Sequence, residues 1–426
     1  MDTLTTAGSI PEGHRLLNGR SRADDLRSKV LGKPLLFIQF SDKLLTKDRR
    51  FRKYYEAAYR KVQGYHLPEH FMEIPYWIPV ISGVLPADLE RSLLIVENID
   101  SAIETINLKF RDHVIFISVL DANEEFVRRL IVHTGNHFIL GGYTKKEWYE
   151  NNGRCIYLSR IAELPDIFPS SNPDRPPEYS LFDGLECLPR LTLSTGCAFQ
   201  CRFCTDIPLT VRETSEEAIS SSVSAMRKLK FRYIYLDDKS FGQAKNVESL
   251  SWIGREVRSY NAEFDGFVVQ SPPALALKGG NLERWRELGV RIIESGIELV
   301  DDDFLRTMNK AYRETHLPEF AAKVRRNGFL LVPNIIIGFP GSDYTKTIAF
   351  VQDNLDIIPW VNINYFSVHN NNVRGALALT ARNNLDGDQN IANKSWSTEK
   401  SFADGEAAIE KLYELTRTIV FAGSAA

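Results

Sequence analysis

Short apolar runs alternate with helix-patterned polar stretches along most of this chain. In the first 166 residues the runs are Pro34–Phe40, Tyr76–Val84, Ser92–Val96, Val114–Val119 and Phe138–Leu140. Short continuous apolar runs bounded by turn formers suit strands buried on both faces. Helical periodicity falls between or before them at Ala23–Leu31, Lys47–Val62, Asp100–Leu108 and Glu124–Val132. The alternation predicts an α/β domain with a mostly parallel sheet over residues 1–166.

A break follows at IFPSSNPDRPPEYS, where four prolines and three serines suit a linker, placed at 167–186. The alternation then resumes. Strands are expected at Arg190–Leu193, Tyr233–Leu236, Gly266–Val269, Val290–Ile293, Val332–Ile337 and Val361–Ser367. Helices are expected at Ser215–Leu229, Val247–Tyr260, Leu282–Leu288, Asp302–Met308, Leu317–Asn327 and Tyr344–Asn354. Six such units predict a partial TIM-like barrel, (β/α)6, over 187–379, with reactive groups at the carboxyl ends of its strands. A C-terminal extension, 380–426, is polar at first and ends in an amphipathic helix, Ala403–Phe421.

Composition adds mainly exclusions. A net charge of −3 with no basic tract gives no general attraction to nucleic acid. The N-terminus has no basic stretch followed by an apolar run, and no apolar run reaches membrane-spanning length. The expectation is a cytoplasmic protein with no nucleic-acid and no membrane partner.

Five cysteines are present, and Cys197, Cys201 and Cys204 fall within eight residues just after the first expected barrel strand. An odd number of cysteines clustered in this way argues against a disulfide framework and for metal ligation. Thiolates are the ligands of iron–sulfur clusters, and three of them leave one iron of a cubane open for chemistry. The alternative is structural zinc, which needs a fourth protein ligand. Cys187 could serve, whereas His133, His137 and His316 are distant in sequence. Cys155 and Cys187 otherwise read as free buried thiols.

The segment RLTLSTGCAFQCRFCT, with its C-x3-C-x-Φ-C spacing and Phe203 as Φ, resembles the entry segment of the radical S-adenosylmethionine (SAM) superfamily. YIYLDDKSFGQ (233–243), GVRIIESGIELVDDDFLRTMNK (289–310) and NIIIGFPG (334–341) resemble later strand segments of the same group, in order, so the likeness spans roughly 188–370. The resemblance implies a [4Fe–4S] cluster on Cys197, Cys201 and Cys204. SAM chelates its open iron and is reductively cleaved to a 5′-deoxyadenosyl radical, which abstracts hydrogen from substrate. An external electron donor such as flavodoxin or ferredoxin is implied.

Carried over residue by residue, Phe203 matches the position whose backbone lies against the adenine of SAM. Asp237 and Asp238 stand where the family has a turn contacting the SAM amino group. This chain departs there from the usual glycine and glutamate, and Asp237–Asp238 also suit a helix N-cap after a strand. Glu298 matches a position near the SAM ribose, with a surface ion pair as the alternative. Gly338 matches a glycine where backbone approaches adenine. At the remaining strand ends, Gln270, Ser271, His369, Asn370, Asn371 and Asn372 form a polar set suited to a small hydrogen-bonding substrate. Gln270 and Asn371 are taken as substrate contacts, and Asp238, His369 and Lys310 as acid–base candidates.

FVRRLIVHTGNHFILGGYTKKEW (126–148) resembles the end of a cobalamin-binding Rossmann-like domain. The D-x-H-x-x-G segment whose histidine ligates cobalt is absent, and neither Gln39–Lys47 nor Ile81–Asp88 offers a histidine. The implied N-terminal domain is therefore of the cobalamin-binding type but degenerate, with cobalamin itself in doubt. Relatives of that kind act on aminoglycosides and sugar-like metabolites of antibiotic biosynthesis. This favours a lyase that deoxygenates a polar substrate by dehydration. A cobalamin-dependent radical SAM methyltransferase and a non-catalytic iron–sulfur or zinc protein stand as alternatives.

Overall fold

The computed structural model describes residues 27–45, 49–58, 60, 74–120, 122–142, 147–204, 210–339, 341–365 and 399–421. The chain divides into two compact units. One is built from residues up to Phe40 and from Gly83–Asp174, the other from Ser41–Ser82 and from Arg175 onward.

Among the described residues the first unit holds five parallel strands: β1 (Leu35–Phe40), β2 (Arg91–Val96), β3 (Val114–Val119), β4 (His137–Gly142) and β5 (Cys155–Tyr157). Their order is β2-β1-β3-β4-β5, the flavodoxin-like doubly wound arrangement. β1 and β3 lie centrally and are buried along nearly their whole length, which explains their apolar sequence; the one polar residue of each, Gln39 and Ser118, falls at its one half-exposed position. The helix Ile99–Lys109 starts where the Asn98 side chain accepts from the N–H groups of Asp100 and Ser101. It buries Ile99, Ala102 and Ile106, one stripe at helical spacing. Gly142 ends β4 against Val119, where a Cβ would come within 2.1 Å of the Val119 carbonyl oxygen.

The second unit is an open half-barrel. Its strands are β6 (Arg190–Leu191), β9 (Tyr233–Leu236), β10 (Gly266–Gln270), β11 (Val290–Glu298), β12 (Leu330–Ile337) and β13 (Asn362–Tyr365). All pair in parallel, in the order β13-β12-β11-β10-β9-β6. Between β6 and β9 a small antiparallel ribbon joins β7 (Ser194–Thr195) to β8 (Arg212–Glu213). Side chains alternate between the lumen and the helical layer. On β12, Ile335 and Ile337 are buried while Asn334 and Ile336 are half-exposed. β13 repeats the pattern, with Val361 and Ile363 buried, Asn362 half-exposed and Asn364 exposed. The outer row therefore packs on helices, each fully buried aliphatic contributing about 1.5–3 kcal/mol, and the lumen stays accessible.

An open barrel leaves an edge strand with unpaired N–H groups. Here the helix Arg49–Ala58 covers that edge. The Val361 N–H donates to the Tyr54 hydroxyl (3.1 Å) and the Ile363 N–H to the Tyr55 hydroxyl (3.2 Å). The C-terminal helix Glu399–Phe421 locks the same corner, with Thr416 Oγ1 2.6 Å from the Tyr54 hydroxyl and the tilted Tyr413 ring 4.4 Å from that of Tyr54. The described residues of 41–82, read from sequence as part of the N-terminal domain, therefore group with the barrel unit.

Two expectations change. Tyr76–Val84 is no strand: Trp77–Val84 is helical, with Ile78 and Ser82, four residues apart, both buried. Its Pro79 sits in the first turn, where no intrahelical N–H is lost. The proline-rich stretch after Ile167 is packed rather than free. Phe168, Tyr179 and Phe182 are buried, and Asn172 and Glu178 donate backbone bonds to Val84 and Pro79. Of the C-terminal extension, residues 380–398 lie outside the described residues.

Candidate functional site

β6 delivers the chain to the cysteine loop, and backbone contacts from three neighbouring segments hold the loop there. The Asp238 carboxylate is buried and accepts from the Leu193 N–H (2.8 Å) and the Ser194 hydroxyl (2.5 Å). Asn246 donates to the Leu193 carbonyl at 2.7 Å. Gln243 donates from Nε2 to the Gly196 carbonyl (2.8 Å) and accepts at Oε1 from the Ala198 N–H (3.1 Å), closing an amide clasp around Cys197. The Ser240 hydroxyl lies 3.5 Å from Cys197 Sγ. Farther along, Asn309 donates to the Gln200 carbonyl (3.0 Å), and the Arg202 N–H donates to the Met308 carbonyl (3.0 Å). Asn309 has a left-handed φ of 55°, which asparagine tolerates better than most residues.

Beside the loop lies a buried ion pair. Lys310 Nζ donates to Glu298 Oε1 at 2.7 Å, and both side chains are under 10% exposed (7% and 8%). The ammonium also lies 5.4 Å from the centre of the Phe203 ring. Burial works against the charged lysine, but the Glu298 carboxylate and the thiols of Cys201 and Cys204 outweigh it, so its pKa lies above the ordinary value. Burial pushes the Cys201 thiol up, and the Lys310 ammonium opposes that push. Glu298 follows an irregularity in the β11–β12 register and has a φ of 56°, unusual for a non-glycine residue. It is thus an internal residue, as is Lys310.

Of the other expected residues, Asp237 accepts from Arg190 (2.8 Å), whose guanidinium stacks 4.8 Å from the Tyr235 ring centre. Burial raises the Asp238 carboxyl above its usual range, against the bonds from Ser194 and Leu193. Gln270 is half-buried at the carboxyl end of β10, in register with Glu294. Ser271 is buried, and its hydroxyl donates to the Phe241 carbonyl (3.0 Å). Gly338 has a φ of 89°, a conformation that favours glycine, and its N–H donates to the Tyr344 hydroxyl (2.8 Å). His369, Asn370, Asn371 and Asn372 lie outside the described residues.

Sequence reading missed much of the lumen. Tyr235 donates to Glu294 (2.9 Å), and Asn362 donates to Asn334 (2.9 Å). Strand parity puts these residues on the inner face with Arg190 and Gln270. The signal was present as polar residues interrupting otherwise apolar strands. Gln243 carried no signal, because its partners are backbone atoms.

Three thiols on one part-exposed loop are the donor set of a cluster that takes one thiolate per iron. Among the described residues, no three or more His, Cys, Asp or Glu side chains converge to hold a single metal ion. Cys187 is buried, and burial pushes its thiol up to about 12. In the first unit, ligands of such sheets bind beyond the carboxyl ends of the strands. His113 and His137 sit at the amino ends of β3 and β4, and His133 ends the helix that leads back to β4. None of these described histidines is placed to ligate cobalt from the sheet's carboxyl edge.

No family model and no curated protein matches the sequence. Solved structures do match in fold. The radical SAM methyltransferase TsrM from Kitasatospora setae, with tryptophan substrate and the SAM analogue aza-SAM bound, superposes with a TM-score of 0.58 at 10% identity, over 89% of each chain. TsrM with cobalamin and a [4Fe–4S] cluster bound gives 0.52 at 11% identity, over 79% of this chain and 76% of that one. The cobalamin-dependent SAM radical enzyme OxsB, with aqua-cobalamin and SAM bound, gives 0.54 at 15% identity, over 85% of this chain and 56% of that one. The fold is therefore that of these solved radical SAM enzymes: a doubly wound α/β domain with a TIM-like partial barrel. Among the described residues no helix is long and apolar enough to cross a membrane.

Proposed function

We propose that this protein is a radical SAM enzyme. The observation that carries the reading is the cysteine loop after the first strand of a parallel half-barrel, held by Gln243, Asn309 and Asp238 around Cys197–Cys204. A [4Fe–4S] cluster with SAM, when bound there, supplies a 5′-deoxyadenosyl radical on one-electron reduction. Cys197, Cys201 and Cys204 would hold the cluster, with the electron coming from an external donor such as flavodoxin or ferredoxin. Phe203, Asp237, Glu298 and Gly338 are the proposed SAM contacts. Lys310 holds Glu298 in place, and the buried pair excludes water from this corner of the site. The inner face of the barrel, with half-exposed Gln270, Asn334 and Asn362 and the buried Glu294 on its wall, is the proposed substrate chamber.

For the reaction, dehydration of a small polar substrate remains the first reading, supported by the hydrogen-bonding character of that wall. Methyl transfer with cobalamin is the second, supported by the likeness to TsrM over 89% of both chains. Anaerobic reconstitution tests all of this. About four irons per chain and 5′-deoxyadenosine formed with dithionite are expected. Stoichiometric retention of cobalamin would favour methyl transfer. Zinc in place of iron, or no SAM cleavage, would refute the enzyme reading.

A further inference from the structure

The loop that follows β9 brings one hydroxyl to a cysteine. Ser240 is buried, and its Oγ lies 3.5 Å from Cys197 Sγ, within hydrogen-bond reach for sulfur. A hydroxyl can donate or accept, whereas a cysteine bound to iron is a thiolate with no proton to give. With a cluster on Cys197, the proton of this bond therefore belongs to Ser240. The Asp238 carboxylate, two residues back, is committed to the Leu193 N–H and the Ser194 hydroxyl. Among the described residues the Ser240 hydroxyl makes no other hydrogen bond. Both ends of the contact are fixed through the backbone. On the serine side, the Phe241 N–H donates to the Gln270 carbonyl at 2.7 Å, and the Phe241 carbonyl accepts from the Ser271 hydroxyl at 3.0 Å. The Phe241 ring packs edge-on against Trp285, with centroids 5.1 Å apart. On the cysteine side, Gln243 clasps the backbone of Gly196 and Ala198. The oxygen and the sulfur are thus set opposite each other by the fold itself.

Reduction adds an electron to a cluster whose thiolates already carry negative charge. Hydrogen bonds to the sulfurs are among the levers that set the potential of such clusters. A donor aimed at a ligand sulfur stabilises the more negative, reduced form more than the oxidised one. Here the donor is buried, with Asp238 and Phe241 buried beside it in sequence, and a hydrogen bond to charge is stronger where water is excluded. We infer that Ser240 is a redox-tuning residue: its hydroxyl donates to Cys197 Sγ and raises the reduction potential of the cluster. At a given potential of the external electron donor, a larger share of the protein then carries the reduced cluster. The inference rests on the proposed iron–sulfur reading of the cysteine loop and adds a residue that regulates that site.

Redox titration of the anaerobically reconstituted full chain, without SAM, tests this. The readouts are the electron paramagnetic resonance signal of the reduced cluster and the iron content of the same samples. Ser240→Ala is expected to move the oxidised-to-reduced ratio at a fixed potential about tenfold toward oxidised, which is about 59 mV on a one-electron couple. Ser240→Thr keeps the hydroxyl and should titrate close to wild type. Ser271→Ala removes a buried hydroxyl that holds the same segment but touches no sulfur, and should leave the potential unchanged. The inference is overturned if Ser240→Ala titrates at the wild-type potential, or if Ser240→Thr or Ser271→Ala shifts as far as Ser240→Ala. It is also overturned if Ser240→Ala holds no cluster while Ser271→Ala does, since the hydroxyl would then be a structural contact. A wild type that holds no reducible cluster refutes the iron–sulfur reading itself, and that failure is seen separately in its iron content and signal.

Discussion

Gln243 grips the backbone on both sides of Cys197, donating to the Gly196 carbonyl at 2.8 Å and accepting from the Ala198 N–H at 3.1 Å. One side-chain amide thus satisfies a donor and an acceptor of a loop that has little regular structure of its own. Its own segment is anchored in turn: the Phe241 N–H donates to the Gln270 carbonyl at 2.7 Å. The first cysteine is therefore positioned by protein contacts before any cluster is considered.

Gln243→Leu removes both bonds at nearly constant volume. Each is worth about 0.5–1.5 kcal/mol, and the loop loses order rather than the barrel its fold. The expected result is lower iron per chain after reconstitution and faster cluster loss under a chelator, with an unchanged circular dichroism spectrum. Full iron retention in this variant would show that the clasp is dispensable.

Lys310→Met leaves the Glu298 carboxylate buried without its cation. Breaking a buried pair from one side costs about 3–5 kcal/mol, whereas replacing both partners by apolar residues costs far less. The urea midpoint should fall sharply in Lys310→Met and recover in large part in the Lys310→Met, Glu298→Leu double variant. Additive losses in the two would contradict the pairing.

Asp238 makes stability depend on pH in an unusual direction for a carboxylate. Burial raises its pKa in the folded protein, so the native state holds the proton more tightly than the unfolded chain. Its stabilising contribution is full below the unfolded carboxyl value of about 3.9 and is lost as pH rises through the raised folded value. Asp238→Asn is neutral throughout, so its urea midpoint should gain on wild type as pH rises across that window and then run parallel. A constant difference at every pH would remove the argument.

Gly142→Val tests the first unit. The new Cβ would collide with the Val119 carbonyl, on a backbone with φ of 116° that β-branched residues avoid. A loss of about 2 kcal/mol or more is expected from clash and strain together. Gly135→Ala, where a Cβ meets nothing within 4 Å, should be nearly silent by the same measurement.

The architecture was legible where physics makes the signal local. β1, β3, β9, β10 and β12 are mainly apolar runs because parallel strands are largely covered on both faces, and each appeared close to its expected place. Tyr76–Val84 misled because a short apolar run fits a buried helix as well as a strand. The helix Arg49–Ala58 showed its periodicity but not its partner, since pairing Tyr54 and Tyr55 with the edge of β13 spans some three hundred residues of sequence. The cysteines announced themselves by spacing. Gln243 and Asn309 did not, because each acts through contacts that exist only once the barrel has formed.

The central claim is that Cys197, Cys201 and Cys204 hold a cluster that cleaves SAM. It is tested most directly by anaerobic reconstitution, dithionite reduction and chromatographic assay of 5′-deoxyadenosine in wild type and in five single Cys→Ala variants. The account predicts product from wild type and from the variants at Cys155 and Cys187, and none from those at Cys197, Cys201 and Cys204. Product from Cys201→Ala at the wild-type rate, or none from wild type carrying a full complement of iron, would contradict it.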